Sequence, residues 1–393
     1  MPSSPHDRLG RRVAYHRSVA RLTQQQLADA ADIHVGTLRK IEQGRRRAGD
    51  AIVESIAVAL QVDPALLTTD RERAGSRIKA AIPALSAAIA SYDVPNDGPV
   101  RPLPLLRGAV AEAVTWRLAA QYVRITQQLP ELLGELFRAL QTAQGQHRPD
   151  VARLVASACR SADAVAYKFG AYDLSARFIE VMRWAAPQAE DDILDATIAY
   201  VRAETFFAAR AHESGLRALE TAIDASAVPD GPPAIAARGA LHMRAAVIAG
   251  RAQDADAANT HLAAARQLAD QVPEASYSGT AFGPSSVRVH EVSVAVSSGK
   301  VQVQRALEVA RGWTPPPELP AERRSGFYIE LARAQLWSGL PDDAFESLQV
   351  ARRIAPQHTR DHAWVREDAA TLRRLKRGDA GSLTSFAEWC HAT

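Results

Sequence analysis

The sequence predicts an all-α chain, and three observations carry that reading. Long strand-like alternation is absent, while alanine, the strongest helix former, dominates many segments. Residues 22–47, LTQQQLADAADIHVGTLRKIEQGRRR, read as two short helices joined by a tight turn. Farther on, a helix–turn–helix signal recurs with anchors at 170, 210, 250, 299 and 339, spaced by 40, 40, 49 and 40.

The N-terminal pair is justified residue by residue. Thr23 is placed to cap the first helix, since its hydroxyl can accept an unpaired first-turn N–H. Gln24 to Ala30 forms that helix, with Leu27 and Ala28 turned inward. Ile33 closes the turn, and a second helix runs from about Val35 to Gln43 with Leu38 and Ile41 inward. Thr37, Arg39 and Lys40 remain outside. Gly44 ends the helix, and Arg45, Arg46 and Arg47 follow at once. A second helix presented this way suits a major groove about 12 Å wide, while the first crosses the phosphate backbone.

Charge agrees with that assignment. Residues 8–47 hold ten Lys/Arg and three acids, a local net of +7, in a chain whose total is +3. A positive end on a mildly acidic remainder is the footprint of a DNA-binding head.

Residues 9–67 resemble the XRE (Cro/C1-type) helix-turn-helix family: a leading helix, then LTQQQLA, IHVGTLRKIEQG and IVESIAVALQVDPALL. The resemblance implies a five-helix domain over 1–70. It implies an ion pair between Arg17 and Glu42, and a phosphate contact from Gln24. It places base reading on Val35, Gly36 and Lys40, with Thr37 and Arg39 alongside. The chain departs from the family at His34, where a small capping residue is common, and Gly36 offers no side chain. Base readout then rests on Lys40, Arg39 and a Val35 contact to a thymine methyl.

At 393 residues the chain is long enough for two or three domains, and an apolar content of 47% supplies cores for them. Residues 71–91 read as a connecting helix broken near Pro83, and the proline-rich run 93–104 as a semi-rigid linker. The body then occupies 106–393. A first hairpin over 106–142, with Pro130 at its turn, caps the array. The recurring copies combine a glycine or its stand-in, a small residue five positions on and an apolar residue seven later: Gly170/Ser175, Arg210/Gly215/Ala222, Gly250/Ala255/Leu262 and Gly339/Ala344/Ala351, with an irregular fourth copy at Gly299/Gln304. Residues 273–286 read as a Gly/Ser/Pro loop carrying Tyr277 and Phe282, and explain the long spacing.

These copies resemble tetratricopeptide (TPR) repeats, whose period is about 34 residues, with extra length in the loops. In that family the first helix of each hairpin lines the concave face. The register implies a ligand groove of Arg160, Tyr167, Lys168, Tyr200, Glu204, Phe207, Arg244, Arg333 and Trp337. Cations interleaved with aromatics suit an anionic or aromatic ligand. Asparagine clamps of the kind peptide-binding TPR proteins use are missing, since Asn96 and Asn259 lie elsewhere.

No phosphate loop, G-x-G-x-x-G, H-E-x-x-H or G-x-S-x-G motif occurs, so no enzyme and no cofactor is expected. His358 and His362 have a metal-compatible spacing without an evident third ligand, and Cys159 and Cys390 give no disulfide framework. No signal core or membrane span is present, which predicts a cytoplasmic protein associated with the nucleoid when bound to DNA. The combination resembles actinobacterial XRE–TPR regulators. It implies a homodimer on double-stranded DNA, with a small-molecule, peptide or protein effector in the groove. The alternative is a TPR adaptor that its head anchors to DNA.

Overall fold

The computed structural model describes residues 5–20, 22–46, 48, 50–60, 62, 67, 70–226, 228–375, 380–390 and 392. The chain divides into two units, Met1–Arg77 and Ile78–Thr393. Both are helical, and the only strands among the described residues are two of three residues each.

In the first unit, helices Pro5–Val19, Gln24–Ala30, Val35–Glu42 and Asp50–Ala59 surround a core of Val13, Leu27, Leu38, Ile41, Ile56 and Leu67. Thr23 caps as expected, with Gln26 N donating to its Oγ1 at 3.2 Å and Gln26 Oε1 accepting from Thr23 N at 2.8 Å. Helices Pro5–Val19 and Val35–Glu42 approach so closely that a Cβ on Gly10 would lie 2.2 Å from the Ile41 carbonyl oxygen. Most of the segment expected to hold the fifth helix, and Arg47, lie outside the described residues.

The second unit is a stack of six helical hairpins. They pair Leu103–Leu118 with Tyr122–Thr142, His147–Lys168 with Tyr172–Ala185, and Asp192–Ala209 with His212–Ala225. They continue with Gly231–Arg251 and Ala255–Ala269, Pro284–Ser297 and Val303–Ala310, and Ala321–Trp337 and Pro341–Ile354. Each reverses at one residue with positive φ: Ala120, Gly170, Arg210, Gln253, Gly299 and Gly339. In five of them the next N–H reaches back five residues, as Ala171 N does to Ala166 O at 2.8 Å and Leu340 N to Gln335 O at 2.9 Å. Four of the five sequence anchors are turn residues. Gly250 is not: it lies inside its helix, where a Cβ would meet Ser298 Oγ at 3.0 Å, and Gln253 makes the turn.

Three further expectations change. Pro130 sits within the helix Tyr122–Thr142, which gives up one backbone hydrogen bond there, and the turn is at Ala120. Pro83 does not break the helix Asp70–Ala88, because it lies on an exposed side where the freed Lys79 carbonyl can take water. Ile78, Leu85 and Ile89 are buried in the core of the second unit. The irregular stretch after them is pinned to the first hairpin, with Arg101 pairing with Glu135 at 2.6 Å and Arg138 donating to Pro99 O at 3.2 Å.

Residues 273–286 form a β-hairpin rather than a loop. Ala275–Tyr277 pairs antiparallel with Thr280–Phe282, and Ser278 (φ 46°) and Gly279 (φ 75°) form the two-residue turn. Phe282 is fully buried against Gly239, leaving no room for a Cβ, which would fall 1.9 Å from its Cζ. Glu274 then accepts from Ser286 N at 2.9 Å and its Oγ at 2.6 Å, fixing the start of the next helix.

The stack curves until its ends meet. Helix Ala321–Trp337 packs on Leu103–Leu118, Lys168 pairs with Glu322 at 2.7 Å, and Gln357 accepts from Val123 N at 3.2 Å. Helices Ala363–Leu375 and Ala380–Trp389 finish the unit around Phe386 and Cys390. No described helix is long and apolar enough to cross a membrane.

A Gly239→Ala substitution is expected to displace Phe282 and lower stability by about 1–3 kcal/mol, despite the better helix propensity of alanine. Thermal unfolding followed by circular dichroism checks this.

Candidate functional site

Two sites emerge, one in each unit. In the first, Glu42 at the end of the recognition helix gathers the supporting polar contacts. Arg17 Nε donates to Glu42 Oε1 at 2.7 Å and Arg17 Nη2 to Oε2 at 3.2 Å. The remaining Arg17 nitrogen, Nη1, donates to Leu22 O at 3.0 Å. Gln24 Nε2 also donates to Glu42 Oε2, at 2.7 Å, and Gln24 Oε1 accepts from Arg39 Nε at 3.5 Å. The three helices are thus tied at one end, which fixes how far the recognition helix stands out.

His34 replaces the usual small cap without loss of the capping bond, since its Nδ1 accepts from Gly36 N at 3.0 Å. This explains the glycine as well: a Cβ there would press on that ring nitrogen at 3.1 Å. Val35 is half-buried against the core. Arg39, Lys40, Arg45 and Arg46 are exposed, and Arg46 donates to Thr37 Oγ1 at 3.2 Å. The face that remains open is strongly cationic.

In the second unit, the first helices of all six hairpins turn side chains into one cavity of about 300 Å³. It gathers Arg160, Tyr167, Lys168, Tyr200, Glu204, Phe207 and Arg244. Arg333 and Trp337 do not join them. Arg333 is held at 2.9 Å by Asp368 and 2.6 Å by Glu367, with its guanidinium 4.5 Å from the Trp364 ring centre and 5.8 Å from that of Trp337. Residues absent from the sequence reading complete the wall: Arg117, Asp163, Arg251, His290, Glu322, Arg323, Glu330, and the hairpin residues Gly279 and Thr280.

Cations prevail in this wall. Arg244 stacks 4.1 Å from the Tyr200 ring centre and lies 3.6 Å from Glu204, while Arg251 stacks 4.4 Å from Phe207. Burial raises the Tyr200 phenol, but Arg244, Arg323 and Arg160 outweigh it and draw it down to about 8. Burial also works against the Glu322 charge, yet Lys168, with His358 and Arg117, holds that carboxyl at about 2. Asp163 and Glu330 go the other way. Burial, with Glu204 nearby, pushes Asp163 up while it accepts from Ser175 Oγ at 2.6 Å; burial takes Glu330, bonded to Ser293 Oγ, to about 7.

The histidines on this wall are neutral. Burial and then Arg323 hold His290 well below its usual range; its Nδ1–H donates to Ser286 O at 2.9 Å, so Nε2 accepts from Arg323 Nη1 at 2.9 Å. Burial and then Lys168 take His358 down to about 3, and its Nδ1 lies 2.7 Å from Ser325 Oγ. His358 and His362 stack edge to face, and no group of three or more potential metal ligands occurs among the described residues.

Residues 8–69 match the family model for a helix-turn-helix domain. No curated protein matches the chain. Among solved structures it is similar to Bacillus thuringiensis PlcR in complex with the peptide PapR7 and DNA, at 16% identity over 67% of this chain and 95% of that one, with a TM-score of 0.28. It is similar to the apo form of the competence regulator ComR from Streptococcus vestibularis, at 13% identity, 96% and 99% coverage and a TM-score of 0.30. It is also similar to a mutant of PrgX, at 8% identity, 97% and 99% coverage and a TM-score of 0.30.

Replacing Glu42 by Ala strands Arg17 and Gln24 and is expected to cost the first unit about 2 kcal/mol, less than a fully buried pair. Faster amide exchange over 24–42 is the readout. For Glu330, the folded value of about 7 lies above the ordinary 4.5, so its contribution to stability is complete below 4.5 and is lost as pH rises through 7. Glu330→Gln is expected to remove that part of the pH slope in denaturant titrations, roughly 3 kcal/mol across the window.

Proposed function

We infer that this protein is a sequence-specific DNA-binding transcriptional regulator that acts as a homodimer on an inverted repeat, its helical body sensing a small molecule or peptide. The observation that carries the reading is the exposed cationic face of the recognition helix. Lys40 and Arg39 stand on it, Arg45 and Arg46 flank it, and the Arg17–Glu42–Gln24 cluster braces it from behind. The helix-turn-helix match over 8–69 supports the same reading.

The residues divide by role. Lys40, Arg39 and Val35 face base edges, whereas Arg45, Arg46 and the start of the helix Gln24–Ala30 face phosphates. Gln24 exchanges its contact with Arg39 for a phosphate oxygen on docking. A single head buries little surface, so tight binding calls for two, on half-sites about 34 Å apart. A ligand in the body changes its curvature and so the spacing of the heads, through unequal affinity for the two states. The protein works in the cytoplasm, on nucleoid DNA.

Enrichment of genomic fragments on the purified protein at near-physiological salt tests this, with an inverted repeat as the expected product. On the recovered site, Lys40→Ala is expected to cost about 1–3 kcal/mol and relax specificity at one position. Arg46→Ala is expected to weaken all sequences alike and to reduce the salt slope by about one. Equal enrichment of all fragments by both variants and the parent would sink the reading.

A further inference from the structure

Two buried arginines meet the tip of the β-hairpin. Arg160 Nη1 donates to Ser278 O at 2.8 Å and Nη2 to Thr280 Oγ1 at 2.5 Å, while Arg117 Nη2 donates to Gly279 O at 2.8 Å. Each arginine is only 7% exposed. Neither forms an ion pair among the described residues, in contrast to Lys168, Arg244 and Arg333. Arg117 Nε is buried and has no hydrogen-bond partner. Among the described residues, Arg323, on the same wall, forms no ion pair and hydrogen-bonds to His290 and to the Tyr200 hydroxyl at 3.4 Å.

This arrangement is costly as it stands. A guanidinium carries five N–H donors and a full charge; Glu322 and Glu204 act on these charges from across the cavity, but the groups bonded to them are only dipoles, which leaves part of the charge uncompensated. What would compensate it is an anion, and a cavity of about 300 Å³ opens beside these groups. That volume is at the small end for ligand pockets. It suits a compact molecule.

We propose that the cavity binds a compact organic anion whose carboxylate or phosphate group seats on Arg117 and Arg160, in competition with the tip of the β-hairpin. The carbonyls of Ser278 and Gly279 imitate the ligand's oxygens, but with partial charge. In the bonds to these carbonyls only the guanidinium is charged; a true anion adds the attraction between two full charges, which is strong in a buried site, and so displaces them. The hairpin is short, with strands of three residues each, and it is held at its far end, where Ala281 and Phe282 are buried in the core. Anion binding therefore releases the turn and the residues flanking it and leaves the helices in place. The proposal deepens the sensing role inferred for the body, and it is read separately from DNA.

Calorimetric titration of the full-length chain with succinate and with inorganic phosphate, at fixed ionic strength, tests it; succinamide is the neutral control. Saturable binding of at least one anion, and none of succinamide, is expected. Arg160→Met should weaken binding at least about tenfold, the loss of one charged hydrogen-bonding partner. Thr280→Val removes a competitor yet keeps the guanidinium, so it should tighten binding, and amide exchange in the turn and the residues flanking it should rise on saturation. Failure of both anions to bind overturns the proposal, as does full affinity in folded Arg160→Met. If that variant does not fold, unchanged or weaker binding by Thr280→Val overturns it. DNA affinity measured on the same preparations separates the two readings: anion binding without DNA binding removes the regulator alone, and the reverse removes the anion site alone.

Discussion

One backbone device recurs throughout this chain: a helix ended by a single left-handed residue, with the next N–H bonded five residues back. It closes the turn between helices Gln24–Ala30 and Val35–Glu42, where Ile33 N reaches Ala28 O at 2.9 Å past Asp32, and it ends the second of them, where Arg45 N reaches Lys40 O at 2.8 Å past Gly44. The same bond closes five of the six hairpins of the body. Such an ending satisfies carbonyls that a helix terminus would otherwise leave bare, and it spends very few residues on the reversal. Antiparallel neighbours follow from that brevity. Repetition of the hairpins brings every first helix to the same side.

With the first helices together, their polar side chains have nowhere to go but a common interior. Lys168 and Glu322 meet there although they belong to the second and sixth hairpins. The first unit solves the opposite problem: it keeps its cations outside and buries one carboxylate, Glu42, to hold them in place. The two units share a turn and differ in the direction their charge faces.

Much of this is written in local signals. Leu27, Ala28, Leu38 and Ile41 have helical spacing, Thr23 caps, and Gly44 stops, so the first unit is legible in a window of a few dozen residues. The stripe of inward residues along the first helices is legible for the same reason. Positions 322, 326, 330, 333 and 337 continue one stripe, but the cavity ends before Arg333, because Asp368 and Glu367, distant in sequence, take its guanidinium. That is a long-range fact with no local trace. Arg117 escaped notice because Pro130 looked like a turn, and the true turn is at Ala120. Glycine marks a left-handed position when present, but Ala120 and Gln253 hold positive φ under tertiary constraint and leave no mark. The β-hairpin hides for a related reason, since three-residue strands are too short to show an alternation.

The position of Tyr200 has a consequence of its own. Tyr122 and Tyr167 are pushed upward by burial, Tyr167 to about 12, whereas Tyr200 ionises near 8 under its arginines. A phenolate absorbs at longer wavelength than a phenol. Ionisation of Tyr200 is therefore a near-ultraviolet reporter of how much positive charge surrounds it. Whatever neutralises those arginines also draws a proton onto that oxygen.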